Sequence, residues 1–253
     1  MEEATREAKV HTSWINPNEA YDGGLRDFIA AILGDPAFIA DLADLQRPLA
    51  RLGMVNSLAQ TLVKIASPGV PDVYQGQEIW DFSLVDPDNR RPVDYALRRQ
   101  MLTNLRERMH GDRRALCRDL VEGWEDGAPK LYVTHVGLCA RQDHADAFKD
   151  GEYLPVAASG PRAEHVVAFA RRGGGNTLLA VVPRLVATLT RENGFAIPDG
   201  AVWEDTALTG DLVAGRWRNL FTGEELDGSS GLRLAEVLAD FPVALLARVQ
   251  SSD

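Results

Sequence analysis

Apolar residues recur at helical spacing through the first 150 positions and at strand spacing after them. Leu25, Phe28, Ile29 and Ile32 fall three and four apart, and so do Phe38, Leu42, Leu45, Leu49 and Leu52. Such stripes mark amphipathic helices. Pro48 interrupts the second stripe and predicts an end or a kink there, because proline lacks the N–H that a helix needs. Further helices are expected over 56–66, 95–109 and 131–142. One stretch differs. Ser67-Pro68-Gly69 breaks the helical pattern, and Val70-Pro71-Asp72-Val73-Tyr74 reads as a short buried strand with Pro71 near its start. A long loop, 75–92, follows, and loops of that length are more often functional than filler.

After residue 150, strands are expected over 152–157, 165–170, 177–182, 216–219 and 243–249. Ser159-Gly160-Pro161, Gly173-Gly174-Gly175-Asn176, Pro198-Asp199-Gly200 and Asp227-Gly228 supply turns between them. This spacing predicts an antiparallel β-sandwich. The first half, by contrast, has one strand pattern among many helices. A lone strand cannot form a sheet, so its partners come from elsewhere or have been lost.

Composition narrows the reading. The 253 residues are 45% hydrophobic and 25% charged, as in ordinary globular chains. With 27 Lys and Arg against 37 Asp and Glu, the net charge is −10, which disfavours nucleic acid and anionic membranes as partners. No apolar run reaches membrane-spanning length. The charged opening Met1-Glu2-Glu3-Ala4-Thr5-Arg6-Glu7 lacks the apolar core of a secretory signal. Cys117 and Cys139 are too few for a disulfide framework or a zinc site, and a reduced cytoplasm is the expected setting.

The loop carries the candidate chemistry. Tyr74, Gln75 and Glu78 would stand at the C-terminal end of the 70–74 strand, where barrel enzymes build their sites. Trp80 and Phe82 offer flat apolar faces against which a sugar ring could stack. Asp86, Asp88, Asn89, Arg90 and Arg91 gather carboxylate, amide and guanidinium groups suited to sugar hydroxyls. Asp-Pro-Asp-Asn is also strong turn chemistry, and the two arginines could simply tie the loop down through ion pairs.

Gly69-x-Pro71-x-x-Tyr74-x-Gly76-x-Glu78 resembles the eighth-strand motif of the α-amylase superfamily of (β/α)8-barrel enzymes. Longer strings resemble the maltooligosyltrehalose synthase branch of that superfamily. They include His11-Thr12-Ser13-Trp14-Ile15-Asn16-Pro17-Asn18-Glu19, Asn56-Ser57-Leu58-Ala59-Gln60-Thr61-Leu62 and Leu84-Val85-Asp86-Pro87-Asp88-Asn89-Arg90-Arg91-Pro92-Val93-Asp94. Gly151-Glu152-Tyr153-Leu154-Pro155, Ala163-Glu164-His165-Val166-Val167-Ala168-Phe169 and Phe241-Pro242-Val243-Ala244-Leu245-Leu246 extend the likeness nearly to the end.

The resemblance implies a fold and an activity. Residues 1–150 would be the end of a catalytic (β/α)8 barrel, with strand eight near 70–75, and 151–253 a C-terminal β-sandwich. The parent enzyme would convert the reducing-end α-1,4 linkage of a maltooligosaccharide to an α,α-1,1 linkage by intramolecular transglycosylation, without metal or organic cofactor. Tyr74, Gln75, Glu78, Trp80, Asp88, Asn89, Arg90 and Arg91 would line the sugar-binding end.

Such chemistry needs paired carboxylates flanking the glycosidic bond. None of the five histidines is followed by Asp, and the nucleophile motif Gly-x-Arg-x-Asp is absent: before Arg141-Gln142-Asp143, Cys139 stands where the glycine belongs. The catalytic carboxylates are therefore expected upstream of this chain, on a barrel segment that would be its partner. Two other readings are a glucan-binding or scaffold module, and a small enzyme using Glu78 and Asp86. His11 beside Trp14 is a further candidate site residue. His135 and His144, nine apart, lack metal-ligand spacing.

Overall fold

The computed structural model describes residues 1–83 and 91–249. Contacts divide the chain into two compact units, Met1–Ala50 and Arg51–Asp253.

The first unit holds α1 (Glu2–Ala8), α2 (Glu19–Gly34) and the opening of α3 (Pro36–Ala66). Asn18 starts α2 by accepting the Tyr21 N–H at 3.1 Å, satisfying a donor that the helix leaves free. Its buried residues are polar: Thr12 and Asp22. Of the apolar stripes, Phe28, Phe38, Leu42, Leu45 and Leu49 are exposed and Leu25, Ile29 and Ile32 half-buried. Pro48 neither ends α3 nor separates it from the 56–66 pattern; one helix of 31 residues runs through it. A single missing hydrogen bond is outweighed by the bonds on either side.

In the second unit, Val55, Leu58, Leu62 and Ile65 of α3 are buried at helical spacing. Val55, Leu58 and Leu62 join residues of α4 (Tyr95–Arg108), α5 (Arg113–Glu122), α6 (Ala128–Asp143) and α7 (Ala145–Lys149) in one apolar core. Asp94 caps α4 and Asp112 caps α5.

Then come β1 (Glu152–Ser159), β2 (Val166–Gly173), β3 (Asn176–Pro183), α8 (Val186–Leu189), β4 (Ala207–Thr209), β5 (Arg216–Asn219), β6 (Glu225–Asp227), β7 (Leu232–Arg233), α9 (Leu234–Val237) and β8 (Ala244–Arg248). Among the described residues the eight strands form one antiparallel sheet, in the order β6-β5-β8-β3-β2-β1-β4-β7.

Alternation along β3 serves two cores, since successive side chains leave opposite faces. Leu178, Ala180 and Val182 pack with the helical residues, while Leu179 and Val181 join Trp203, Leu208 and Trp217 on the other side. Each buried leucine contributes about 2 kcal/mol. The first of these cores crosses residue 150 without a break. Tyr132 of α6 donates to the Phe221 carbonyl at 2.6 Å, and Asp240 accepts from Arg114 at 2.7 Å and Arg118 at 2.8 Å on α5. No helix among the described residues is long and apolar enough to cross a membrane.

The segment expected as a buried strand, 70–74, belongs to no sheet among the described residues. It is not buried either: Val70 is 94% exposed, and Val73 and Tyr74 are exposed as well. A strand is held by hydrogen bonds to neighbours, and none of the described sheet strands pairs with it.

Candidate functional site

The loop after residue 74 leaves the chain's previous course at Gly76, whose φ of +89° lies in the left-handed region that glycine adopts without strain. From there the segment is fastened to α4. The Arg98 guanidinium donates to Glu78 Oε2 at 2.9 Å through Nε and to the Gly76 carbonyl at 2.7 Å through Nη2. Both side chains are half-buried, so this pair is less screened than a fully exposed one. Tyr95, in the first turn of α4, donates its hydroxyl to Gln75 Oε1 at 3.2 Å.

A second fastening holds the other end. Trp80 donates its indole N–H to the Trp124 carbonyl at 2.6 Å. Gly127, at φ +82°, makes that approach possible: a Cβ there would stand 2.7 Å from Ile79 Cβ and 2.9 Å from the Trp80 nitrogen. Asp81 Oδ1 accepts from the Ser83 hydroxyl at 2.6 Å and its N–H at 3.0 Å. These bonds hold its carboxyl below its ordinary value. Lys130 is pushed down by burial first and by neighbouring Lys64 second, while Asp81 and Glu78 pull the other way.

Between these fastenings lies a cavity of about 270 Å³, lined by Gln75, Trp80, Asp81, Phe82, Arg91 and Arg98 among others. That is just below the usual range for ligand pockets, roughly 300–1,000 Å³. Its lining combines two aromatic rings, amide, carboxylate and guanidinium groups, the combination that neutral polyhydroxylated ligands use.

Of the residues expected at the site, Gln75, Trp80 and Arg91 line this cavity. Glu78 is half-buried and engaged by Arg98. Tyr74 is exposed and is not among the lining residues. Asp86, Asp88, Asn89 and Arg90 lie outside the described residues. Among the described residues Glu78 thus anchors the loop, held by the Arg98 guanidinium. Sequence reasoning missed Arg98, Tyr95, Gly127 and Lys130. The first two sit in the opening turn of the helix expected over 95–109, but their contacts twenty residues back leave no local pattern. His135 and Cys139 pair at 3.7 Å on α6, and no group of three or more His, Cys, Asp or Glu fit to hold a metal occurs among the described residues.

No protein-family profile matches the chain. Individual proteins do. It is 38% identical over 247 residues to a Mycobacterium tuberculosis protein bearing the name maltooligosyl trehalose synthase, a match covering 98% of this chain and 27% of that protein. The solved structure of maltooligosyltrehalose synthase from Arthrobacter ramosus superposes with a TM-score of 0.78 at 35% identity, again over 98% of this chain and 29% of the other. A maltooligosyl trehalose synthase structure from Sulfolobus tokodaii gives 0.64 at 25% identity, over 97% and 28%. In sequence and in backbone course, this chain is similar over nearly its whole length to maltooligosyltrehalose synthases, and it spans a little over a quarter of theirs.

Proposed function

We propose that the chain is the C-terminal portion of a maltooligosyltrehalose synthase and acts as part of that larger enzyme. One observation carries this: a 38% identity that covers 98% of this chain but 27% of its relative. On this reading residues 1–150 are the end of the catalytic (β/α)8 barrel. Residues 70–75 become strand eight when neighbouring strands are present to pair with them. Residues 151–253 are the C-terminal β-sandwich domain.

The whole enzyme would isomerise the reducing-end α-1,4 linkage of a maltooligosaccharide to an α,α-1,1 linkage. It would proceed through a covalent glycosyl-enzyme, with one carboxylate attacking the anomeric carbon and another moving the proton. Neither carboxylate is assigned to this chain; both belong to the remaining barrel segment, which is its partner. Tyr74, Gln75, Glu78, Trp80, Asp88, Asn89, Arg90 and Arg91 would shape the sugar-binding end, Trp80 by its ring and Glu78 by anchoring the loop. Nothing in this chemistry calls for a metal or organic cofactor, and the setting is the cytoplasm.

The test is reconstitution. The purified chain incubated with maltopentaose should yield no non-reducing product. Added to the complementary segment of a relative, it should restore that product. Product from the chain alone would overturn the assignment of the carboxylates elsewhere. Glucan binding without restored activity, lost in Trp80→Ala, would instead support a non-catalytic glucan-binding module, the reading favoured by the aromatic-lined cavity.

A further inference from the structure

Trp14 is the only exposed tryptophan among the described residues. Trp203 and Trp217 are fully buried and Trp80 and Trp124 half-buried, whereas Trp14 is 52% exposed. Yet it is not loose. Its indole N–H donates to Glu7 Oε1 at 2.7 Å, and the Arg6 guanidinium lies over the ring, 5.0 Å from its centroid. Arg6 is fixed in turn. It pairs with Asp22 at 3.0 Å, and that carboxylate is 3% exposed. Asp22 Oδ2 also takes the Thr12 hydroxyl at 3.3 Å, and the Thr12 oxygen accepts the Asn18 N–H at 3.1 Å. Three consecutive segments of the first unit thus converge to hold one exposed ring.

The arrangement has a cost. Asp22 Oδ1 and Arg6 Nε are buried with no hydrogen-bond partner among the described residues. Buried polar groups are normally satisfied, so unsatisfied ones call for an explanation. The bonds among Arg6, Asp22, Thr12 and Asn18 tie α1 to α2, but the ring they also hold is a large apolar surface left in water, and preorganisation accounts for that. An immobilised aromatic face loses little conformational entropy when a ligand stacks on it.

We propose that Trp14 is a stacking platform for a pyranose ring of an α-glucan, with Arg6 and Glu7 fixing its orientation and Glu7 available to accept from sugar hydroxyls. The choice of a glucan rests on the proposed function above. The chemistry of the site agrees with it. The net charge of −10 favours a neutral ligand over an anionic one, and a nucleobase, which would stack equally well, brings phosphate with it.

The experiment titrates the full chain with maltoheptaose by calorimetry, comparing Trp14→Ala, Trp14→Phe and Trp80→Ala, with thermal unfolding of each as the control for folding. Trp14→Ala should weaken binding by about tenfold or more, with Trp14→Phe in between and unfolding temperatures unchanged. In parallel, maltoheptaose should protect Trp14 from oxidation by N-bromosuccinimide, read on its peptide by mass spectrometry. Wild-type affinity in Trp14→Ala overturns the platform, and if Trp80→Ala then loses binding the loop reading survives alone. No maltoheptaose binding by the wild-type chain also overturns it. So does a Trp14→Ala defect confined to association with the complementary polypeptide, which would make the ring, with exposed Val10 and Ile15, a protein contact. The reconstitution assay decides the proposed function separately.

Discussion

At the scale of single residues, position outweighs type. Gly127 looks like ordinary turn punctuation, but its missing Cβ is what lets Ile79 and Trp80 approach α6. Gly127→Ala meets both a steric conflict and a backbone conformation that L residues rarely adopt. It should cost about 1–3 kcal/mol, read as a lower urea midpoint, and should loosen the Trp80 end of the loop. The two cysteines diverge in the same way. Cys117 is fully buried, and burial pushes its thiol up to about 12, whereas Cys139 is exposed. Because the thiolate is the reactive form, a thiol reagent should modify one cysteine in the folded chain and both after unfolding. Two fast-reacting thiols in the native chain would contradict this burial.

At the scale of elements, α5 is tied to the turn before β8 by one carboxylate. Burial pushes Asp240 up, but hydrogen bonds from Arg118 and Arg114 outweigh it, and its carboxyl lies below the ordinary value of 3.8. A depressed carboxylate stabilises the fold above its unfolded pKa and loses that contribution as pH falls through the folded value. Asp240→Asn should therefore cost about 1–3 kcal/mol at pH 7. The gap between variant and wild type should close as pH drops below about 4. A gap that persists unchanged to pH 2 would show that the arginines contribute nothing through charge. Helices and longer strands were legible because periodicity is a local property: β5 was expected at 216–219 and occupies Arg216–Asn219. The short strands β4, β6 and β7 were missed, since two or three residues carry no period, and so was α5, whose buried positions are few: Leu116, Cys117 and Leu120.

At the scale of the whole molecule, apolar surface is left uncovered. In the first unit Phe28, Leu42, Leu45 and Leu49 are exposed, and in the second Val70 and Phe82, the latter at 87%. Uncovered apolar patches of this kind drive association. The isolated chain should self-associate with rising concentration in sedimentation experiments, and Leu45→Gln with Leu49→Gln should reduce that. A chain that stays monomeric at high concentration would contradict it. Local spacing alone reveals most of the long helices, the longer strands and turns after residue 150, and the likeness to maltooligosyltrehalose synthases, because each is written in neighbouring residues. Folding in three dimensions settles that α3 runs through Pro48, that 70–74 is not a sheet strand among the described residues, and that Glu78 is bound to Arg98. It also decided that a buried Asp22 orients Trp14 through Arg6. These outcomes depend on which distant groups are available as partners, and a hydrogen bond or an ion pair across twenty residues leaves no trace in local spacing.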